Sequence, residues 1–269
     1  DEIDLIQDLI DEYKNKGIHI WHHVDAAYGG YFRCLADEDK GTIKNALDAL
    51  PRVDSITMDS HKLGYVPFSS GSFLVKSRRD YMVNVQDAPY IQFSTKRLDR
   101  GAFTLEGSRS AAGAVATWMT AKTTGFNPEG YGTILARSFG SLRKLEAALC
   151  RAIPDIRIAP SRDTNILCFV VAKKGDSVSQ VNDLSRKIYG RFSPDGDKRY
   201  YISMTTLQKK SYGEYLHGYL KKWEATVDED QLVLLRICLM NPFFSSVNTN
   251  TDYAQDFTNA LVHVLKDGG

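Results

Sequence analysis

A carboxylate and an amine stand just beyond two apolar runs near the start of the chain. Asp25 closes "IHIWHHVD", and Lys62 follows "VDSITMDSH". In open α/β sheets the carboxyl ends of strands line the ligand crevice, so both residues are placed for chemistry. A lysine there can be a nucleophile when its amine is neutral. A carboxylate at the end of a run that reads as a buried strand needs a positive partner. Lys16 and Lys40 lie too far away to provide it. Each residue alone has a plainer reading, Asp25 as a turn or cap residue before Ala26-Ala27 and Lys62 as a solvated loop lysine.

Pyridoxal phosphate asks for both groups at once. Its aldehyde condenses with a lysine, and its pyridine nitrogen stays protonated beside a carboxylate. The elements around the pair fit such a site. Ile3, Ile6, Leu9, Ile10 and Tyr13 have helical spacing over 2–16, and Gly17 ends that helix. The apolar runs predict strands at "IHIWHHV", "VDSITMD" and "GSFLVK", with a helix over 42–50 stopped by Pro51. Alternating helices and strands argue for a parallel α/β sheet. Residues 80–109 lack periodicity and read as a long functional loop. Two helices follow, "SRSAAGAVATWMTAKTTG" and "YGTILARSFGSLRKLEAALCRA", the second stopped by Pro154. Strands over 164–172, 199–207 and 232–239 and helices over 177–191 and 251–266 then form a smaller α/β domain. The expected division is 1–150 and 151–269.

"HVDAAYGG" followed by "DSITMDSHKLGYVPFSSG" resembles the group II pyridoxal-phosphate decarboxylases of the aspartate aminotransferase fold (fold type I). "LEGSRSAAGAVATWM", "LRICLMNPFFS", "GYGTILARSFGSLRKLEAAL" and "DTNILCFVVAKKGD" extend the resemblance through nearly the whole chain, toward the bacterial tyrosine decarboxylase-like branch. The resemblance implies a chain covering the C-terminal part of the large cofactor-binding domain plus a small C-terminal α/β domain. It implies decarboxylation of an L-amino acid, aromatic and tyrosine-like, to an amine and CO2. Lys62 is then the Schiff-base lysine, Asp25 the partner of the pyridine nitrogen, Ala27 the small residue under the ring and His61 the phosphate contact. His23 would lie near the ring and the substrate carboxylate; otherwise it is a core histidine, and His61 a loop one. The resemblance also implies that the 80–109 loop is a mobile catalytic loop carrying a tyrosine general acid. Tyr90 is the first choice and Tyr81 the second, against a plain aromatic loop anchor. Phe68 stands where a tyrosine is expected after "GYVP", which puts tyrosine itself in question as the substrate; the alternatives of the same fold are an acidic amino-acid decarboxylase, or an aldehyde synthase if the loop tyrosine is not poised. An inactive fragment that needs a partner chain is the remaining alternative. The family's N-terminal phosphate loop and stacking histidine have no counterpart here, so a further segment or chain and a homodimer-type assembly are the expected partners.

Composition narrows the rest. The 269 residues carry 34 Lys+Arg against 33 Asp+Glu, a net charge of +1, so no strong field draws nucleic acid or acidic lipid. No run of about 18 apolar residues predicts a membrane helix. The acidic, amphipathic start does not read as a signal peptide. Four dispersed cysteines predict a reducing, cytoplasmic setting without structural disulfides, and six histidines without zinc spacing predict no metal.

Overall fold

The computed structural model describes residues 1–84, 109–160, 163–196, 199–245 and 250–267. They divide into two compact units, Asp1–Leu135 and Ala136–Gly269. The boundary expected near residue 150 falls inside the helix Thr133–Ala152 (α5), which begins in the first unit and continues into the second.

The first unit opens with α1 (Ile3–Asn15). Its end is a Schellman turn, in which the N–H of Ile18 donates to Tyr13 O and that of Gly17 to Lys14 O, each at 3.0 Å. Gly17 takes φ +81°, which a side chain would strain. Strands β1 (His23–Asp25), β2 (Ser55–Asp59) and β3 (Gly71–Val75) form a sheet in the order β1-β2-β3. Between β1 and β2 lie a 3₁₀ segment, Gly29–Cys34, and the short helices α2 (Asp37–Lys40) and α3 (Lys44–Ala49). Helix α4 (Ala112–Thr123) follows β3 in the described chain.

Two expectations are corrected here. The sheet is mixed: β1 and β2 run parallel, whereas β3 returns antiparallel to β2. The connection from Ser60 to Ser70 is too short for the helical crossover that a parallel return needs. The run before Asp25 is also not a buried strand. Only His23–Asp25 pair, at the edge of the sheet, and both His23 and Asp25 are exposed. The preceding Ile18, Ile20 and Trp21 are exposed as well. Periodicity records that a face is apolar; it does not record what covers it.

Helix α1 shows the same separation. Its buried residue is Gln7, while Leu5, Ile6, Leu9 and Tyr13 are exposed. A polar chain ties it down instead. His22 Nδ1 donates to Gln7 Oε1 at 2.7 Å, and Gln7 Nε2 donates to Asp11 Oδ1 at 2.9 Å. Arg52 donates to Asp11 at 2.8 Å and to Asp8 at 2.5 Å. Burial lowers the pKa of His22 below its ordinary 6.5, despite Asp54 nearby. A histidine held neutral by folding stabilises the fold fully above its unfolded pKa, and that contribution fades as pH falls through the lower folded value. The urea midpoint of the first unit is therefore expected to drop on acidification below about 6.5. In His22→Gln this component should disappear; an unchanged pH profile would remove His22 as its source.

The second unit is built on an antiparallel sheet. Strands β4 (Ile156–Ile158), β5 (Ile166–Val171), β6 (Ser203–Gln208) and β7 (Gln231–Cys238) take the order β4-β5-β7-β6. Helices α6 (Val178–Arg191), α7 (Lys209–Leu220) and α8 (Tyr253–Asp267) complete it. Alternation along β5 and β7 feeds two cores. Leu167, Phe169, Leu235 and Ile237 pack with Leu145, Leu149, Phe257 and Leu261. Val170, Leu232 and Leu234 pack with Tyr219 and Trp223. No described helix is long and apolar enough to cross a membrane.

Candidate active site

The parallel pairing sets the frame. His23 stands opposite Ser55 and Asp25 opposite Thr57, so the carboxyl ends of β1 and β2 share one edge of the sheet. Side chains alternate along strands, which puts His23, Asp25, Ser55, Thr57, Asp59 and Phe73 on one face. The chain leaves β2 at Asp59 and turns at once. Lys62 lies in that turn, its N–H donating to Asp59 O at 3.1 Å.

The amine is held by charge. Lys62 Nζ lies 2.9 Å from Asp59 Oδ2, and the lysine side chain is still 40% exposed. His61 Nε2 approaches the same oxygen at 3.7 Å. The backbone N–H of Ser70 donates to His61 Nδ1 at 3.0 Å, which makes Nδ1 an acceptor and leaves the ring proton on Nε2. His61 therefore offers an N–H donor beside the amine.

Asp25 forms an Asx turn, with Oδ1 accepting the N–H of Ala27 at 3.0 Å. The local turn foreseen from sequence and an outward-facing carboxylate coexist at this residue. Ala27 is half-buried, and its carbonyl accepts the N–H of Asp59 at 3.1 Å, so it sits where the two strand ends are stitched together. His23 is fixed at both ring nitrogens, Nδ1 2.8 Å from Ser55 Oγ and Nε2 3.2 Å from Thr57 Oγ1, with its ring 5.7 Å from that of Phe73. His22, its neighbour, points the other way and is buried.

Tyr81 is described, and its hydroxyl donates to Phe73 O at 3.0 Å. Tyr90 and the 85–108 part of the 80–109 loop lie outside the described residues. Sequence reasoning passed over Asp59, Ser55 and Thr57. Their signal was present: positions 55, 57 and 59 share the parity that, once paired, faces His23 and Asp25. Lys40, correctly set aside, is buried between Asp37 at 2.7 Å and Asp48 at 3.7 Å.

Residues 1–172 match the model of the pyridoxal-dependent decarboxylase conserved domain. The chain belongs to this decarboxylase family. Residues 152–265 match a second model, that of the tyrosine decarboxylase C-terminal region. An L-tyrosine decarboxylase of Enterococcus faecium is 27% identical over 99% of this chain and 51% of its own length. A tryptophan decarboxylase of Clostridium sporogenes is 31% identical over 59% of this chain and 33% of its own. Thus the chain spans about half the length of the first of these curated relatives. The crystal structure of Oryza sativa TDC with PLP and tryptamine superposes with a TM-score of 0.71 at 16% identity, over 99% of this chain and 48% of that one. That likeness shows the decarboxylase fold, fold type I, for both units.

Proposed function

We propose that this chain carries the covalent anchor and the ring-nitrogen carboxylate of a pyridoxal-phosphate-dependent decarboxylase acting on an aromatic L-amino acid. The observation that carries the reading is the shared sheet edge. An amine in the turn after β2 and a carboxylate at the end of the parallel β1 are the two groups that the cofactor requires, and family membership agrees. The donor set fits the group: a primary amine, a carboxylate, a small residue in Ala27 and a neutral imidazole with its N–H at Nε2.

When bound, pyridoxal phosphate supplies an aldehyde and a ring that accepts the electrons released with CO2. The rest falls to the chain's own residues. Lys62 must leave Asp59 to react, since an ammonium has no lone pair for condensation; Asp59 stands ready to take its proton. Asp25 keeps a negative charge at the ring nitrogen. His61 offers its Nε2–H to an anion such as the phosphate. His23, locked by Ser55 and Thr57, presents a fixed imidazole face rather than a free nitrogen. Tyr90 remains the proposed acid that returns a proton to the product carbon, with Tyr81 as the alternative. The test is amine and CO2 formation from a panel of tyrosine, tryptophan, aspartate and glutamate. Turnover of the acidic substrates alone would overturn the aromatic reading.

We also propose that a further segment or chain completes the site within an assembly of at least two copies, in the cytoplasm. The first unit supports this with its uncovered apolar surface. Leu9 is 53% exposed, Phe73 48% and Trp118 62%, and α4 has no buried residue. Monomers rarely leave such a surface open, and covering it calls for an interface of roughly 2,000 Å² or more. Sedimentation of the 269 residues alone should show self-association or aggregation. A well-folded monomer would count against both the companion segment and the dimer.

A further inference from the structure

Lys62 sits at the centre of a short, tightly held turn. Beyond its own bond to Asp59, the N–H of Tyr65 donates to Lys62 O at 3.1 Å and that of Val66 to Ser60 O at 3.2 Å. Two buried tyrosines from elsewhere in the first unit reach this turn. The hydroxyl of Tyr31, in the Gly29–Cys34 segment, lies 2.6 Å from Ser60 Oγ. The hydroxyl of Tyr131, in the Pro128–Gly132 segment, donates to Gly64 O. Ser60 precedes Lys62 by two residues and Gly64 follows it by two, so the bonds bracket the lysine. Phe126 wedges edge-on against both rings, with centroids 5.2 Å from Tyr31 and 4.9 Å from Tyr131.

Neither side of this arrangement has slack. A Cβ at Gly64 would stand 2.5 Å from Ser60 O and 2.8 Å from Tyr31 Cζ. A Cβ at Gly132, beside Tyr131, would stand 2.4 Å from Cys34 O. Burial raises the phenol pKa of both tyrosines, that of Tyr131 to about 12, so each remains a neutral hydroxyl.

We propose that Tyr31 and Tyr131 are positioning residues that clamp the Ser60–Gly64 turn and thereby set the direction from which the Lys62 amine reacts. The proposal rests on the reading of Lys62 as the covalent anchor. Packing alone would be satisfied by the rings. The hydroxyls do something different, because each ends on the lysine's own turn. A reacting group must be held within roughly 0.5 Å of its productive geometry, and the lysine side chain, long and half-exposed, gains that precision only from its backbone.

Tyr131→Phe and Tyr31→Phe in the full chain test this, because they keep the rings and remove the hydroxyls. Hydrogen exchange without cofactor is the first readout. The amides over 60–66 are expected to exchange about tenfold faster, the loss of one buried hydrogen bond, while those of 55–59 keep their rates. The second readout is kinetic: kcat falls on the order of 10- to 100-fold with KM nearly constant. Ser60→Ala removes the turn's side of one bond and should repeat the Tyr31→Phe result if that variant folds poorly. Unchanged exchange and unchanged kcat in the Phe variants, with Lys62 still taking up pyridoxal phosphate, would overturn the clamp alone. A wild-type protein whose Lys62 is not modified by pyridoxal phosphate even with the companion segment present overturns the functional reading, and the clamp with it.

Discussion

Lys62→Ala is expected to abolish amine formation, leaving less than about a thousandth of the wild-type rate, a loss of roughly 4 kcal/mol or more in barrier stabilisation. The alanine variant alone is ambiguous, because it also deletes the cation 2.9 Å from Asp59. Lys62→Arg separates the two roles. Arginine keeps a positive charge beside Asp59 but carries no amine that can condense with an aldehyde. If the lysine acts as the covalent anchor, the arginine variant is as inactive as the alanine variant, even with its fold preserved. If the ion pair is what matters, arginine restores most of the activity. Borohydride reduction of the wild-type protein with pyridoxal phosphate, in the presence of the companion segment that completes the site, followed by peptide mapping, gives an independent check. The stable adduct must fall on the peptide holding Lys62, and an adduct on another lysine would end the assignment.

The legible parts of this fold are those that local physics decides. Apolar spacing and Gly17 located α1 and its Schellman end to within a residue or two. The Ser177 capping box, with Gln180 returning the bond, marks the start of α6 close to the predicted position. The missed elements are those with weak local signals. Strand β4 is only three residues, Ile156–Ile158. Helix α7, "KKSYGEYLHGYL", mixes Gly and Tyr residues that favour helix poorly and is non-helical at Tyr212. Strand direction was missed for a different reason: the shortness of the Ser60–Ser70 connection, which rules out a parallel return, is visible in the sequence, but the alternation of helices and strands was followed instead.

The candidate site divides in the same way. Asp25 and Lys62 could be found because each closes an apolar run, and chemistry links a carboxylate to an amine. Ser55, Thr57 and Asp59 depend on register, which needs two strands at once. Tyr31 and Tyr131 depend on contacts across 29 and 67 residues of sequence, which no local pattern announces.

Asp25→Asn isolates charge from structure at the other half of the pair. The asparagine side-chain oxygen can still accept the N–H of Ala27, the bond that Asp25 Oδ1 makes at 3.0 Å, so the Asx turn survives. Asp25 is exposed in the sheet edge, and substitutions at such sites usually change stability by no more than about 0.5 kcal/mol. What asparagine cannot do is hold a negative charge at the ring nitrogen of the bound cofactor. The expected result is turnover lowered about 10³-fold or more, roughly 4 kcal/mol, with a thermal midpoint close to wild type. Asp25→Ala removes both the charge and the turn acceptor, so it should match asparagine in turnover and fall below it in stability. The comparison between the two variants carries the argument. Equal loss of activity assigns the effect to the carboxylate's charge, whereas an active Asp25→Asn beside an inactive Asp25→Ala would assign it to the turn and remove Asp25 from the chemistry.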